Sequence, residues 1–202
     1  MIELERYPRI KVTRKTGSER LHNDGKEISV QLIDYWRWSV SDLLSNATRG
    51  VFAEFIVASA LGLVDNVRSE WDSYDLKTTK GKRIEVKSAA YLQSWSQKEL
   101  SKISFSIRPS RKWNSNTGKM GNISERQADI YVFCLLDHQD QKTVDPMNLS
   151  QWRFFVISVD VLNQNCSGQK SISLTKLKGL NPFEVSYEEV SDCINQMALM
   201  QK

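Results

Sequence analysis

Two carboxylates and a lysine in one short segment form the clearest chemical pattern in this sequence. Asp75 and Glu85 stand on either side of a lysine- and glycine-containing turn, and Lys87 follows Glu85 after one residue. Carboxylate oxygens are hard ligands of the kind that Mg²⁺ takes, usually one or two from the protein with the rest from water and substrate phosphate. A neighbouring lysine can orient or deprotonate an attacking water, or offset charge in a transition state. The pattern therefore points to metal-assisted chemistry at phosphorus.

The segment predicts a β-hairpin, and its register decides whether the three side chains meet. Apolar and polar residues alternate along 74–79 and 83–87, so each strand has one apolar and one charged face. A two-residue loop at 80–81 would mix these faces. A three-residue loop at 80–82 separates them, with the pairings Thr79 to Arg83, Leu76 to Val86 and Asp75 to Lys87. Because a slip by one residue is costly when one face is buried, we predict that Asp75, Glu85 and Lys87 share one face. The alternative is a set of cross-strand ion pairs on a wet face, each contributing about 0.2–1 kcal/mol.

Glu54 is the second indication of a functional site. It is the only ionisable residue between Gly50 and Val64, a stretch whose spacing predicts a helix. A helix that is apolar nearly all round should be largely buried, and a lone buried carboxylate is costly unless a cation or hydrogen bonds meet it. This favours a role for Glu54 in the carboxylate site. A structural pair with Arg49, or with another base at the edge of the core, is the alternative.

Positive charge is concentrated in the middle of the chain. The net charge is +4, but residues 77–126 carry eight Lys and four Arg against three Glu, which gives 12 − 3 = +9 and leaves −5 for the remainder. Such a zone is typical of proteins that bind phosphate-rich partners, although it is also typical of a solvated face. The segment 108–114 mixes basic side chains with an aromatic, as phosphate contacts and base stacking require. The candidate contacts to nucleic acid are Lys77, Gln93, Arg108, Arg111, Lys112 and Trp113.

The elements that must position these residues are predicted to form one domain. Of the 202 residues, 40% are apolar, and six Trp and seven Phe allow a substantial core. We expect an irregular polar arm over 1–27 and a single domain over 28–202. Helices are predicted within 28–45, at about 49–61 and from 186 to about 200, strands at 103–107, 130–136 and 154–159, and a long polar loop at 108–126. This order favours an α/β layer built on one sheet.

The composition also argues against several classes of protein. No run approaches the roughly 20 apolar residues of a membrane-spanning helix, and the first residues lack the apolar core of a signal peptide. Cys134, Cys166 and Cys193 are widely spaced and form no CxxC motif, so neither a disulfide framework nor a zinc site is indicated. We therefore expect a cytoplasmic protein with reduced thiols and no membrane partner.

The order of these elements resembles the PD-(D/E)xK nuclease superfamily, which has the restriction-endonuclease-like fold. The matching elements are the helix with Glu54, the strand with Tyr74-Asp75, a short turn, and the strand ending Glu85-Val86-Lys87. Tyr74 stands where the family motif has proline. The resemblance covers about residues 46–95 with motifs and, more weakly, the strand at 130–136. It implies a mixed central β-sheet flanked by helices.

The resemblance also implies a role for each residue. Asp75 and Glu85 would bind the metal, with the Val86 carbonyl as a further ligand, and Lys87 would be the catalytic lysine. Glu54 would contact the metal through water or help to orient Lys87. The implied activity is that of a Mg²⁺-dependent deoxyribonuclease, with Mn²⁺ as a substitute, in restriction, repair or mobile-element biology.

Two other classes of function stay open on the sequence. One is a non-catalytic nucleic-acid-binding or scaffold protein that keeps the nuclease fold, and the other is an unrelated α/β protein with a surface ion-pair patch. In a chain of this length, specificity could come from a partner protein or from a homodimer, whose two sites would serve the two strands of a duplex.

Overall fold

The fold is described by a computed structural model that covers residues 7, 10–70, 72–114 and 119–200. Its α-helices are α1 (Leu32–Val40), α2 (Asn46–Ala60), α3 (Val159–Asn165), α4 (Leu174–Gly179) and α5 (Tyr187–Met200). Its strands are β1 (Arg20–Asn23), β2 (Lys26–Gln31), β3 (Leu76–Lys77), β4 (Arg83–Ala90), β5 (Ser104–Ser106), β6 (Ser110–Asn114), β7 (Lys119–Glu125), β8 (Ile130–Leu136), β9 (Trp152–Ser158), β10 (Ser171–Ser173) and β11 (Phe183–Val185). None of the helices in these ranges has the length and apolar character needed to cross a membrane.

A five-stranded sheet lies at the centre of the molecule, with the strand order β11-β9-β8-β4-β3. The pair β4 and β8 is parallel, and the other neighbouring strands are antiparallel. β8 is buried along its whole length, as an uninterrupted apolar sequence predicts for a strand covered on both faces. The predicted mixed α/β sheet flanked by helices is therefore confirmed.

Two apolar layers cover this sheet. On one face, α2 and α5 pack against the even-numbered residues of β8 and against Ile84 and Val86 of β4. On the other face, the buried side chains come from β5, α3, β10 and α4 and meet the odd-numbered residues of β8. Since side chains alternate along a strand, Glu85 and Lys87 project from β4 on the side opposite Ile84 and Val86. The charged side chains of β4 therefore lie on the face opposite the side chains that pack against α2 and α5.

An ion pair joins the first residue of β4 to the residue that precedes β8. Arg83 Nη2 lies 2.6 Å from Asp129 Oδ1, and the Arg83 backbone N–H donates to Asp129 Oδ2 at 2.8 Å. The Asp129 N–H donates in return to the Arg83 carbonyl at 2.9 Å. Parallel strands have no tight turn to define their pairing, so these charge-assisted bonds help to set which residues lie opposite each other.

The N-terminal arm, which we expected to be irregular, contains a hairpin. β1 and β2 pair across Asp24 and Gly25, whose φ angles are 48° and 76°. An Asp-Gly pair with both φ angles positive is a favoured two-residue hairpin turn. The prediction of an irregular arm over 1–27 is therefore wrong from β1 onward, and a boundary at residue 27 would fall inside β2. Residues 1–6, 8 and 9 of the arm lie outside the described ranges.

The same hairpin shortens the first predicted helix. Residues 28–31 belong to β2, so α1, which begins at Leu32, is the helix found within the predicted range 28–45. The other predicted elements agree better with the structure, since α2, β8, β9 and α5 begin within about three residues of their expected positions.

The segment 108–126 forms an antiparallel hairpin, β6 with β7, and the prediction of a polar loop is wrong there. Most of its described side chains are exposed on both faces of the hairpin. The apolar alternation that predicts a half-buried strand is therefore missing from this sequence. Residues 115–118 of the segment lie outside the described part of the chain.

Candidate active site

The β3–β4 hairpin carries the two carboxylates with a register that differs from the predicted one. Leu76 pairs with Ile84 and Lys77 with Arg83, and Thr78 N donates to Lys82 O at 2.9 Å. The loop has the expected three residues but occupies 79–81, where Gly81 takes a φ of 86°. The predicted pairings of Asp75 with Lys87 and of Leu76 with Val86 are therefore wrong by two residues.

This difference in register leaves the predicted face unchanged. Side chains alternate with a period of two, so a shift by two residues returns each of them to its original face. The Asp75 N–H donates to the Ile84 carbonyl at 3.0 Å, which brings Asp75 beside Glu85. The structure thus brings Asp75, Glu85 and Lys87 together.

Short contacts connect the three side chains. Lys87 Nζ lies 2.6 Å from Glu85 Oε1 and 3.9 Å from Asp75 Oδ2. The same Asp75 oxygen accepts a hydrogen bond from the Val86 N–H at 2.7 Å. The exposed fractions of the side chains are 18% for Asp75, 19% for Glu85 and 28% for Lys87. The cluster is therefore mostly buried, with one side open to solvent.

The electrostatics of this cluster are governed by burial and by its excess of carboxylates. Burial raises the pKa of Asp75 to about 7, and the charge of Glu85 adds to the increase, while Lys87 and the Val86 N–H oppose it. Burial alone would lower the pKa of Lys87, but the charges of Glu85 and Asp75 outweigh it, so the net shift is upward. Two carboxylates beside one ammonium group leave negative charge uncompensated, and this favours a bound cation.

The residues present fit a hard divalent cation that is shared with water and substrate. Asp75, Glu85 and the Val86 carbonyl supply only oxygen donors, which Mg²⁺ prefers. Within the described ranges, no three Asp, Glu, His or Cys side chains gather closely enough to enclose a metal ion by themselves. The donor set therefore suits Mg²⁺, which usually keeps several waters, better than an ion that needs a complete cage of side chains.

Helix α2 positions Glu54 next to this cluster. The helix begins after Ser45, whose side chain accepts from the Thr48 N–H as an N-cap. It packs on the sheet through Ala53 and its apolar neighbours, but Val51 and Phe55 are 47% and 54% exposed. The expectation that this helix is buried nearly all round is therefore wrong for one stripe, which lines a cleft with Glu54.

Glu54 is paired with Arg68, which agrees with the alternative of a structural pair with a base other than Arg49. Arg68 Nε and Nη2 lie 2.5 Å and 2.9 Å from its two carboxylate oxygens. Arg49, the named alternative partner, is buried and donates to the Leu44 carbonyl and to Asn46 instead. The charge of Glu54 nevertheless contributes to the raised pKa of Asp75. Glu54 therefore belongs to the electrostatic neighbourhood of the cluster.

Two open clefts meet at the carboxylates. The first has a volume of about 370 Å³ and is lined by Glu54, Phe55 and Arg68 among others. The second has a volume of about 260 Å³ and includes Glu85 in its lining. Asp75 lines both clefts. An elongated ligand that runs from one cleft into the other would therefore pass over the carboxylates.

The candidate contacts to nucleic acid are distributed unevenly around these clefts. Arg111 and Trp113 of β6 line the second cleft, and the exposed Lys77 lines the first. Arg108 is exposed and lines neither of the two clefts. The side chain of Lys112 lies outside the described part of the structure.

Gln93 has an internal role in the described structure. Its side-chain oxygen accepts from Arg49 Nη1 at 3.2 Å, and its amide nitrogen donates to the Ala90 carbonyl at 2.9 Å. These bonds connect α2 to the residues that follow β4. Direct contact between Gln93 and a substrate stays a prediction.

One comparison with known proteins gives a match for most of this chain. The model of the family described as bacteriophage T4 endonuclease IV matches residues 8–176. The match includes α2, β3, β4 and β8, and thus all residues of the carboxylate cluster. No curated protein matches the chain.

Proposed function

Because the chain belongs to the bacteriophage T4 endonuclease IV family, we propose that it is a metal-dependent endonuclease that hydrolyses phosphodiester bonds in DNA. The observation that carries this proposal is the contact of Lys87 with two carboxylates that open clefts reach, since Asp75 lines both clefts and Glu85 lines the second. A surface ion-pair patch would need neither the burial of these groups nor a cleft on each side of them.

The proposal includes membership of the PD-(D/E)xK superfamily. Its support is a strand, a turn and a second strand that bring Asp75 beside Glu85 and Lys87 on one face of a mixed sheet, with the Val86 N–H bonded to Asp75. Helix α2 adds Glu54 at the edge of the same site. Both features agree with the resemblance of the sequence to that superfamily.

Each group in the site has a defined task in this proposal. Asp75, Glu85 and the Val86 carbonyl hold Mg²⁺ or Mn²⁺. When bound, the cation polarises the phosphate and lowers the pKa of a coordinated water. Lys87 orients the attacking water and offsets the negative charge that develops on the phosphate oxygens. Asp75 is fixed for its task by the Val86 N–H, which leaves its second oxygen available to a ligand.

Substitution of Lys87 tests this function directly. Lys87→Ala should lower the rate of DNA cleavage by at least about 100-fold, since it removes the ammonium group that contacts both carboxylates. The measurement is cleavage of circular and linear DNA with Mg²⁺, with Mn²⁺ and with a chelator. An endonuclease converts the circle to open forms and needs no free end.

Lys142→Ala is a suitable control, because Lys142 is exposed on the loop after β8. Wild-type activity in Lys87→Ala would contradict the proposed catalytic role. Salt-sensitive DNA binding by a wild-type protein that cuts under none of these conditions would favour the non-catalytic scaffold instead.

A further inference from the structure

Arg68 is a cation in the wall of the first cleft whose position the sequence pattern did not reveal. It lies between α2 and β3, and its guanidinium group meets Glu54 through two parallel contacts of 2.5 Å and 2.9 Å. The Glu54 side chain is 13% exposed, whereas that of Arg68 is 41% exposed. Arg68 is thus anchored on a helix of the core and remains open to the cleft.

This anchoring leaves part of the guanidinium group free to bind a ligand. Arginine has five N–H donors in one plane, and Glu54 takes one from Nε and one from Nη2. Among the described residues, Glu54 is the only hydrogen-bond acceptor of this guanidinium. The remaining donors belong to Nη1 and Nη2, in a cleft that also contains Asp75. A planar group with free parallel donors is well suited to phosphate oxygens.

The carboxylates at the clefts would repel the phosphates of a bound DNA strand unless cations lie beside them. A DNA strand that passes over Asp75 and Glu85 carries negative phosphates toward negative side chains. Lys87 is already engaged with both of these carboxylates. The second cleft has Arg111 in its wall, and the first has Arg68 and Lys77. Of these two cations in the first cleft, only Arg68 is held in place by a bidentate pair.

We propose that Arg68 binds a backbone phosphate of the DNA strand next to the cleaved bond, and that Glu54 is the residue that positions Arg68. This inference rests on the proposed function, because it requires a strand that crosses Asp75 and Glu85. Arg68 and Arg111 then hold the strand on opposite sides of the carboxylates. Both oxygens of Glu54 are occupied by Arg68, which favours a positioning role over the metal contact implied by the superfamily resemblance.

Direct binding measurements test this role separately from catalysis. Binding of a fluorescein-labelled DNA oligonucleotide is measured by anisotropy at several salt concentrations, with Mg²⁺ and in the Lys87→Ala background, which prevents cleavage of the probe. Arg68→Gln should weaken binding about tenfold and reduce the slope of log K against log salt by about 0.7–0.9, the value for one lost phosphate contact. Arg68→Lys, which keeps the charge but loses the planar fork, should fall between wild type and Arg68→Gln.

Arg153→Gln is the matched control. Arg153 also pairs with a carboxylate, since its Nε lies 3.4 Å from Asp137 Oδ2, but it lines neither of the two clefts at the carboxylates. Its substitution should leave the affinity and the salt slope unchanged. If Arg68→Gln unfolds, the double variant Glu54→Gln/Arg68→Gln removes both charges of the pair and provides the same comparison.

Glu54→Gln separates the two possible roles of Glu54. If Glu54 positions Arg68, Glu54→Gln in the same Lys87→Ala background should weaken DNA binding a few-fold when Arg68 is present and have almost no effect when Arg68 is already Gln. With Lys87 intact, the Mg²⁺ concentration needed for half-maximal cleavage should then stay the same. A several-fold rise in that concentration, with unchanged DNA affinity, would make Glu54 a metal contact and overturn its positioning role.

The failure of this inference can be distinguished from the failure of the proposed function. A wild-type protein that binds and cuts DNA, together with Arg68→Gln binding as tightly as Arg153→Gln, overturns the role of Arg68 alone. A wild-type protein that neither binds nor cuts DNA overturns the proposed function and this inference together.

Discussion

At the scale of single residues, the site keeps Asp75 where the protein environment disfavours its charge. Burial and the nearby charge of Glu85 raise its pKa to about 7, despite the opposing contributions of Lys87 and the Val86 N–H. Strongly shifted carboxylates of this kind are concentrated at functional sites, where stability is often exchanged for activity. We therefore expect the carboxylate cluster to support catalysis and to lower, rather than raise, the stability of the fold.

Asp75→Asn should consequently separate stability from activity. The asparagine oxygen can still accept from the Val86 N–H, so the main change is the loss of a charge that burial and the nearby Glu85 disfavour more than Lys87 favours it. We expect the free energy of unfolding of the metal-free protein at pH 8 to rise by about 1 kcal/mol, and cleavage to fall at least about 100-fold. Urea unfolding and the cleavage assay measure the two effects. Asp192→Asn, at an exposed position of α5, should change neither, and a clear loss of stability in Asp75→Asn would contradict this interpretation.

At the scale of secondary-structure elements, the parallel pairing of β4 with β8 determines where the site residues stand. Arg83, the first residue of β4, contacts Asp129, which precedes β8, through two side-chain contacts of 2.6 Å and 3.2 Å, and its backbone N–H donates to the Asp129 carboxylate at 2.8 Å. Burial would raise the pKa of Asp129, but the hydrogen bonds and charge of Arg83 outweigh it and lower that pKa below its ordinary value of 3.8. The ionised form of Asp129 therefore stabilises the fold.

Asp129→Asn should lower the free energy of unfolding at pH 7 by about 1–2 kcal/mol, because it weakens charge-assisted bonds in a half-buried position. The folded pKa lies below the unfolded pKa, so the stabilisation is complete above the unfolded value and is lost as the pH falls through the folded value. The difference in the free energy of unfolding between wild type and variant should therefore disappear in strong acid. Urea unfolding at several pH values measures it. Asp137→Asn, in an exposed pair with Arg153, should cost less than about 0.5 kcal/mol. An equal loss in both variants would contradict a special role for the Arg83 pair.

At the scale of the whole molecule, the basic zone at 77–126 divides into structural and exposed cations. Arg126 is 8% exposed and donates to the Ile107 and Cys166 carbonyls at 2.9 Å and 2.8 Å. Arg83 is committed to Asp129, and Lys87 to the carboxylates. The local charge of +9 therefore overstates the number of cations available to DNA, and Arg111 at the second cleft is one of those that remain.

Arg111→Gln should weaken DNA binding and reduce the slope of log K against log salt by about 0.7–0.9, the value for one phosphate contact. Thermal unfolding should change little, because Arg111 is exposed on β6. Anisotropy titrations at several salt concentrations provide the measurement. Lys178→Gln is the control, because Lys178 pairs with Glu184 of β11, at the sheet edge opposite β3. The same loss of affinity in both variants would indicate general attraction by net charge rather than contact at the cleft.

Periodicity in the sequence was sufficient to predict the central strands and the face of the carboxylate cluster. Burial accounts for both patterns, since it favours apolar side chains at every position of β8, which is covered on both faces, and at alternate positions at the start of β4. The predicted hairpin register was wrong by two residues, yet Asp75, Glu85 and Lys87 still share a face. The alternating pattern determines only which face a side chain occupies, and a shift by two residues leaves that face unchanged. The β6–β7 hairpin escaped prediction because its strands lack the alternation that marks one apolar face. The β1–β2 hairpin was missed although Asp24-Gly25 is a favoured turn and Ile28 and Val30 alternate with polar residues, because Val30 also fits the helical spacing of the residues that follow it.

The sequence by itself determined which residues could perform the chemistry and that Asp75, Glu85 and Lys87 would lie together, since alternation along a strand is a local property of the backbone. Only the tertiary structure decided that Arg68 pairs with Glu54, that Arg111 and Trp113 line the second cleft, and that Arg126 is buried. These outcomes depend on how separate elements pack in space. A charged side chain on an irregular or fully exposed segment carries no periodic signal of the partner that packing will bring to it.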